Sequence, residues 1–147
     1  MIQRILVPVD GGEGSARATA ACLSLARQMG AVAVAFVAEP MPPIALHPLS
    51  PTAIETARRK HSAMTEAHAL EVLARFEQLA RDAGVAFETH LVSQATTDPA
   101  VVAAARALRC DLIVLAVQGR GAFGEFLFGS QTKALLAGSG MALFIVP

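Results

Sequence analysis

Short apolar segments alternate with longer segments of helical periodicity along this chain, and this alternation limits the possible fold more than any other feature. Five apolar segments have strand length: residues 5–9, 32–38, 87–92, 112–117 and 142–146. Strands joined by helices lie parallel in one sheet, because each right-handed crossover places its helix on a face of that sheet. The sequence therefore predicts one α/β domain of Rossmann-like type over residues 1–147, with a five-stranded parallel sheet and helices on both faces.

The segments between the strands carry apolar stripes at helical spacing. The first stripe precedes Gly30, which stands where a C-terminal cap belongs, and comprises Ala18, Ala21, Cys22, Leu25, Ala26 and Met29. Residues 54–83 are predicted as a long helix whose second half alone is firmly packed, through Ala69, Val72, Leu73, Phe76, Leu79, Ala80 and Ala83. Between these helices, residues 39–52 hold five of the eight prolines and are predicted as an irregular apolar loop.

The polarity of the strands predicts their order. Residues 5–9 and 112–117 are the most apolar and should be central neighbours, whereas Glu88 and His90 on one face of the third strand indicate a sheet edge. Together these positions predict the order 3-2-1-4-5. Ligands of open α/β sheets bind at the switch point of such an order, here between strands 1 and 4. We also expect Asp98 to cap a third helix that starts at Pro99, and residues 130–137 to form a short fourth helix.

Composition excludes several classes of partner. Twelve cationic side chains balance twelve anionic ones, so the chain shows no electrostatic signature of binding to nucleic acid or to an anionic membrane. The amino-terminal residues lack a secretory pattern and no apolar run reaches membrane-spanning length, which predicts a cytoplasmic protein. Cys22 and Cys110 are isolated in apolar segments and are predicted to be buried, reduced thiols.

Residues 116–130 read AVQGRGAFGEFLFGS and form the most informative segment for function. Glycines let backbone N–H groups approach an anion, and the Gly129-Ser130 pair before a helix adds a hydroxyl and the positive end of the helix dipole. The segment is therefore predicted to cradle phosphate.

Two named phosphate-binding motifs fit this segment poorly. Residues 119–124 match G-x-G-x-x-G, but the dinucleotide motif belongs to a first strand–helix turn and has an acidic residue about 20 positions later, whereas no acidic residue follows Glu125. A P-loop requires lysine where Ser130 follows Gly129. Dinucleotide binding and P-loop chemistry are both disfavoured.

The whole chain resembles the universal stress protein family. Its first strand ends in Pro8-Val9-Asp10-Gly11-Gly12, with Ser15 opening the helix. The nucleotide-binding signature of the family, Gly, two residues, Gly, nine residues, then Gly-Ser or Gly-Thr, is matched by Gly119 and Gly129-Ser130, whereas Ala116 replaces the first glycine. One branch of the family binds ATP and another does not.

The resemblance implies an adenine-nucleotide site, with ATP as the expected ligand, AMP or ADP as alternatives, and Mg²⁺ held through the phosphates. Pro8 and Asp10 would hold the adenosine side, and Val37 would line the adenine. Leu115, Ala116 and Gly119 would follow ribose and phosphates, and residues 129–132 would contact phosphates at the last helix. The implied site residues are Pro8, Val9, Asp10, Val37, Leu115, Ala116, Gly119, Arg120, Gly129, Ser130, Gln131 and Thr132.

Each of these residues also has a simpler interpretation. The glycines can merely turn the chain, Asp10 can merely cap the turn that follows it, and Arg120 can be a solvated surface residue. The methyl group of Ala116 is tolerated at negative φ, is strained at positive φ, and can crowd the ribose.

No catalytic residue or metal site is predicted. The segment has no neighbouring His or Cys and no nucleophile–base arrangement, so binding and signalling are favoured over catalysis, with slow ATP hydrolysis as a further alternative. Lys133 is the last charged residue, which leaves Ala142–Val146 as a bare apolar edge strand. Pairing of this strand across a two-fold axis predicts a homodimer, as the resemblance also implies. A dimerisation module that binds no nucleotide remains the alternative function.

Overall fold

The computed structural model describes residues 1–39, 50–93, 97–116 and 140–147. Strands and helices alternate along these residues as predicted: β1 (Arg4–Pro8), α1 (Glu13–Met29), β2 (Val32–Glu39), α2 (Pro51–Ala83), β3 (Phe87–Ser93), α3 (Thr97–Ala107), β4 (Leu112–Ala116) and β5 (Ala142–Val146). The predicted glycine segment and fourth helix fall almost entirely within residues 117–139, outside the described residues, as do residues 40–49 of the proline-rich loop.

The five strands form one parallel sheet in the order β3-β2-β1-β4-β5, which confirms the predicted topology. β1 is central, and β3 and β5 lie at opposite edges. Because successive side chains of a strand point to opposite faces, the inner strands β1, β2 and β4 contribute to two cores. One core lies under α1 and α2 and includes Ile5, Val7, Ala35, Leu73 and Phe76. The other lies under α3 and includes Leu6, Val34, Phe36, Ala105 and Ile113.

Two predicted helix starts were wrong. α2 begins at Pro51, inside the predicted loop, and Ser50 caps it by accepting a hydrogen bond from the Ala53 N–H at 3.2 Å. Proline is tolerated in a first helical turn because its missing N–H would have no partner inside the helix. α3 begins at Thr97, so Asp98 and Pro99 lie within its first turn instead of preceding or opening it.

The two halves of α2 differ in packing. Ala69, Leu73, Phe76 and Ala80 are buried, which confirms that the second half packs on the sheet. Leu79 was assigned to the same stripe, but it is 41% exposed because it lies at the flank of the packed face. Among the described side chains of residues 51–68, none is buried. Among the described side chains, the core contacts of α2 therefore lie in its second half.

Charged residues tie strands together at the amino end of the sheet. The Arg4 guanidinium donates to both Glu88 carboxylate oxygens at 2.9 and 2.6 Å, reaching across β2, and its Nε donates to the Leu108 carbonyl at 2.8 Å. The hydrogen bond from Arg4 is the largest cause that lowers the pKa of Glu88 to about 2, and His90 Nε2 lies 3.3 Å from the same carboxylate.

Asp111 joins β1 to β4 at the same end. Its carboxylate accepts hydrogen bonds from the backbone N–H groups of Gln3 and Arg4 at 2.8 and 3.0 Å, and the first of these is the largest cause that lowers its pKa. In turn the Asp111 N–H donates to the Arg4 carbonyl at 2.8 Å. This end of the β1–β4 pair is therefore closed by hydrogen bonds.

Both cysteines are buried free thiols, as predicted. Burial raises the pKa of Cys22 to about 12 and is also the main cause that raises the pKa of Cys110. Both shifts disfavour the thiolate that nucleophilic or redox chemistry needs. In the described part of the chain, no helix is both long enough and apolar enough to cross a membrane.

Candidate nucleotide site

The carboxyl end of the β1–β4 pair is where the site is expected, and Pro8 determines how the two strands meet there. The odd residues of β1 bond to β2, as shown by Val9 N–H to the Phe36 carbonyl at 2.9 Å and Val32 N–H to the Gln3 carbonyl at 2.8 Å. The even residues face β4, since the Arg4 carbonyl accepts from the Asp111 N–H. Pro8 thus occupies a position whose N–H would face β4, and proline has none.

The pairing between β1 and β4 ends before Pro8. β1 pairs with β2 along its whole length, from Arg4↔Val32 to Pro8↔Phe36. With β4 it pairs only at Ile5↔Leu112 and Leu6↔Ile113. Because the following donor position is a proline, the strands lack a ladder hydrogen bond where a ligand of an open α/β sheet would enter.

Asp10 lies at the rim of this opening, immediately beyond β1. Its Oδ1 accepts a hydrogen bond from the Gly12 N–H at 2.8 Å, and its own N–H donates to the Ser15 hydroxyl at 3.1 Å. The side chain does cap the following turn, as the simpler interpretation of Asp10 proposed. Its other carboxylate oxygen makes no hydrogen bond with another described residue and stays available to a ligand.

Val9 and Val37 form a buried floor next to Asp10. They are 6% and 7% exposed and belong to the core under α1 and α2. The register Pro8↔Phe36 places them on neighbouring strands at the same level of the sheet. Their side chains can support an apolar base from below, but most of their surface is already covered by protein.

Leu115 and Ala116 end β4 on opposite faces of the sheet. Leu115 packs against the core under α3, whereas Ala116 packs against the core under α1 and α2. Arg109 is the sole non-glycine residue with positive φ within the described ranges, so Ala116 has the negative φ of an ordinary strand residue. Backbone strain is thus excluded as a consequence of the alanine, and its methyl group contacts the core.

The remaining predicted site residues lie outside the described residues: Gly119, Arg120, Gly129, Ser130, Gln131 and Thr132. The described part of the site therefore comprises the residues assigned to the adenosine together with Leu115 and Ala116, which were assigned to the ribose and phosphates. It is acidic, since Asp10 lies beside the first turn of α1, where Glu13 is a second carboxylate. Carboxylates here suit the hydroxyl and amino donors of a nucleoside and repel phosphate.

Sequence reasoning missed that α2 also borders this site. Gly11 has φ +85°, and a Cβ atom at this position would lie 3.1 Å from Val72 Cγ2 and 3.7 Å from both Cε1 and Nε2 of His68. The Asp-Gly pair is a signal for a turn with positive φ, but nothing in the sequence indicates which helix packs on that turn. Among the described residues, no group of three His, Cys, Asp or Glu side chains is arranged to hold a metal ion.

Comparison with known proteins identifies the family. The sequence model of the universal stress protein family matches residues 1–147. A relative from Thermus aquaticus, described as "Universal stress protein in QAH/OAS sulfhydrylase 3'region", is 30% identical over 139 residues, which is 93% of each chain. The chain belongs to the universal stress protein family.

Solved structures of the family share the fold over nearly the whole chain. UspA from Lactobacillus plantarum matches with a TM-score of 0.78 at 20% identity and covers 99% of this chain and 98% of its own. A universal stress protein from Archaeoglobus fulgidus in complex with dAMP matches at TM-score 0.66 and 18% identity over the full length of both chains. One from Arabidopsis thaliana with AMP bound matches at TM-score 0.67 and 14% identity, covering 98% of this chain and 90% of its own.

Proposed function

We propose that this protein binds an adenine nucleotide at the carboxyl edge between β1 and β4, and that it acts in stress response or signalling through this binding. The observation that carries the proposal is the interrupted β1–β4 ladder at Pro8 with the free Asp10 oxygen at its rim. Family membership and the AMP and dAMP complexes of two related proteins support the same ligand class.

The proposed ligand is ATP with Mg²⁺. Asp10 would accept from the ribose hydroxyls or the adenine amino group, with Val9 and Val37 beneath the nucleoside and Pro8, Leu115 and Ala116 beside it. Residues 119–132 would take the phosphates, with Gly119, Arg120, Gly129, Ser130, Gln131 and Thr132 as contacts. Mg²⁺ would bind through phosphate oxygens, as it does when substrate phosphates supply most of its ligands. No residue is assigned to catalysis, and hydrolysis would be slow at most.

An absorption spectrum gives the first test. The chain contains no Trp and no Tyr, so protein absorbance is very weak near 260 to 280 nm and a retained nucleotide gives a strong adenine band. Titration calorimetry with Mg-ATP then tests binding by protein freed of nucleotide. The absence of both the band and any binding heat would sink the nucleotide proposal and favour a module that binds no nucleotide.

Variants of two described residues sharpen this test. Asp10→Ala should weaken ATP binding about tenfold or more, since a carboxylate that accepts ligand donors is lost. Ala116→Gly should leave the affinity within about threefold, because the methyl group contacts the core, at a cost of about 1 kcal/mol in the free energy of unfolding. A large gain in affinity from Ala116→Gly would show instead that the methyl group crowds the ribose.

We also propose a homodimer through β5. In the described sheet, β5 pairs with β4 on one side and has no strand on the other, and it exposes 42% of Phe144 and 38% of Ile145. An unpaired apolar edge favours association, and pairing with a second copy across a two-fold axis would cover it.

Light scattering coupled to sizing chromatography tests the dimer. Ile145→Lys should shift the protein towards monomer, whereas Leu70→Lys on α2, where the leucine is 54% exposed, should not change the oligomeric state. A monodisperse wild-type monomer at micromolar concentration would contradict the proposal.

A further inference from the structure

His68 of α2 lies against the turn that holds Asp10. Its Cε1 and Nε2 atoms are each 3.7 Å from the position that a Cβ atom of residue 11 would occupy. The residue itself is exposed, whereas Ala69, next in the helix, is 2% exposed and part of the core. The imidazole therefore sits where α2 leaves the core, at the level of the carboxyl edge of the sheet.

The close approach of α2 to this turn depends on Gly11. Its φ of +85° is costly for any other residue, and a Cβ atom would meet Val72 at 3.1 Å. A side chain here would displace either the turn or the helix. The glycine thus permits the close approach of Val72 and His68 to the turn.

His68 and Asp10 both have polar atoms that make no hydrogen bond with a described residue. The imidazole makes no hydrogen bond with another described residue, and one Asp10 oxygen is likewise free of described partners. A neutral imidazole offers one donor and one acceptor nitrogen, and a carboxylate offers acceptors alone. Ribose hydroxyls and an adenine edge present both donors and acceptors, so a nucleoside complements this pair better than a phosphate, which Asp10 and Glu13 would repel.

We infer that His68 is a binding residue for the nucleoside part of the ligand, making a polar contact through its imidazole beside Asp10. This inference rests on the proposed nucleotide function and adds a specificity-determining residue to it from a different helix. The contact is made to the base or ribose and not to the phosphates, so its contribution does not depend on how many phosphates the ligand carries.

Titration calorimetry with adenosine, AMP and Mg-ATP tests the inference on wild-type protein and on His68→Ala, His68→Gln and Gln78→Ala. His68→Ala should weaken all three ligands by the same factor, about three- to tenfold, which corresponds to the loss of one hydrogen bond. His68→Gln keeps a donor and an acceptor and should recover most of this loss. Gln78→Ala, an exposed and uncharged control further along α2, should bind like wild type.

Several outcomes would overturn the inference while leaving the proposed function intact. These are unchanged affinity in His68→Ala, a loss that grows with phosphate number, or His68→Gln binding no better than His68→Ala. The thermal unfolding midpoint of each His68 variant should match that of wild type, because the His68 side chain is exposed. A lowered midpoint would show instead that His68 stabilises the fold. If wild-type protein binds none of the three ligands, the proposed function fails and this inference fails with it.

Discussion

The two ends of the sheet are built differently from the same strands. At the amino end, side-chain hydrogen bonds of Arg4 join β1 to β3 and to the Leu108 carbonyl after α3, and those of Asp111 join β1 to the start of β4. At the carboxyl end, Pro8 removes a donor between β1 and β4, and Asp10 keeps one oxygen free. Substitutions at the amino end should therefore lower stability without changing ligand affinity.

The largest effect on stability is expected at the carboxyl end, from Gly11→Ala. Positive φ and the 3.1 Å approach to Val72 should lower the free energy of unfolding by about 2 to 3 kcal/mol. Gly12→Ala is the matched control, because Gly12 has φ −83° and alanine adopts this conformation freely. Denaturant unfolding measures both. Equal losses in the two variants would show that the turn tolerates a side chain at residue 11.

Arg4→Ala tests the amino end and should cost about 1 to 2 kcal/mol, since three hydrogen bonds from one guanidinium are lost. Arg59→Ala breaks an exposed pair with Glu55 and should cost about 0.5 kcal/mol or less. Nucleotide affinity should stay at the wild-type value in Arg4→Ala. A weakened affinity would mean that the two ends are coupled.

Acid should weaken the hydrogen bonds at the amino end of the sheet. The pKa of Glu88 is lowered from 4.5 to about 2 in the folded protein, so its stabilisation is present above the ordinary pKa and is lost as the pH falls from about 5 towards 2. Because this side chain is 41% exposed, solvent screening limits the contribution to about 1 kcal/mol.

Unfolding measured between pH 5 and 2 checks this pH dependence with Glu88→Gln. The variant should lose less stability than wild type over the range. Part of the pH dependence of stability should remain in Glu88→Gln, since the pKa of Asp111 is lowered as well. Identical slopes in the two proteins would show that the Arg4–Glu88 pair does not contribute in solution.

One substitution is expected to raise the free energy of unfolding. Arg109 follows α3 with φ +55°, a position that glycine occupies after α1 and α2. Arg109→Gly should raise the free energy of unfolding by about 0.5 to 1 kcal/mol. Gly84→Ala is the reverse control, because it places a side chain in the same left-handed conformation and the new Cβ has no atom within 4 Å. This variant should lower the free energy of unfolding by about 1 kcal/mol through backbone strain alone. Destabilisation by Arg109→Gly would indicate that the arginine side chain stabilises this turn.

The sequence predicted the fold because burial on both faces of β1 and β4 requires continuous apolar segments, and these segments placed both strands at the centre. Helix starts were harder to predict, since Pro51 resembles loop composition yet suits a first helical turn. The Arg4–Glu88 pair joins residues 84 positions apart across β2, so it follows only from strand order and register together.

The site was predicted only in part, because some of its contacts depend on how distant segments pack together. Asp10 follows from its place at the end of a buried strand and from the family motif. Local sequence does not encode how close His68 comes to Gly11, because that distance depends on how α2 packs on the sheet. The strand conformation of Ala116, which excludes backbone strain, likewise had to come from the structure.

The unequal packing of α2 has a consequence for hydrogen exchange. Amides of the packed second half open only when a large part of the core opens, whereas those of residues 51–56, whose described side chains are not buried, should exchange faster. His68 lies at the boundary between these two regimes. A ligand that contacts His68 would slow exchange upstream of it, so the first half of α2 would report occupancy of a site that it does not itself form.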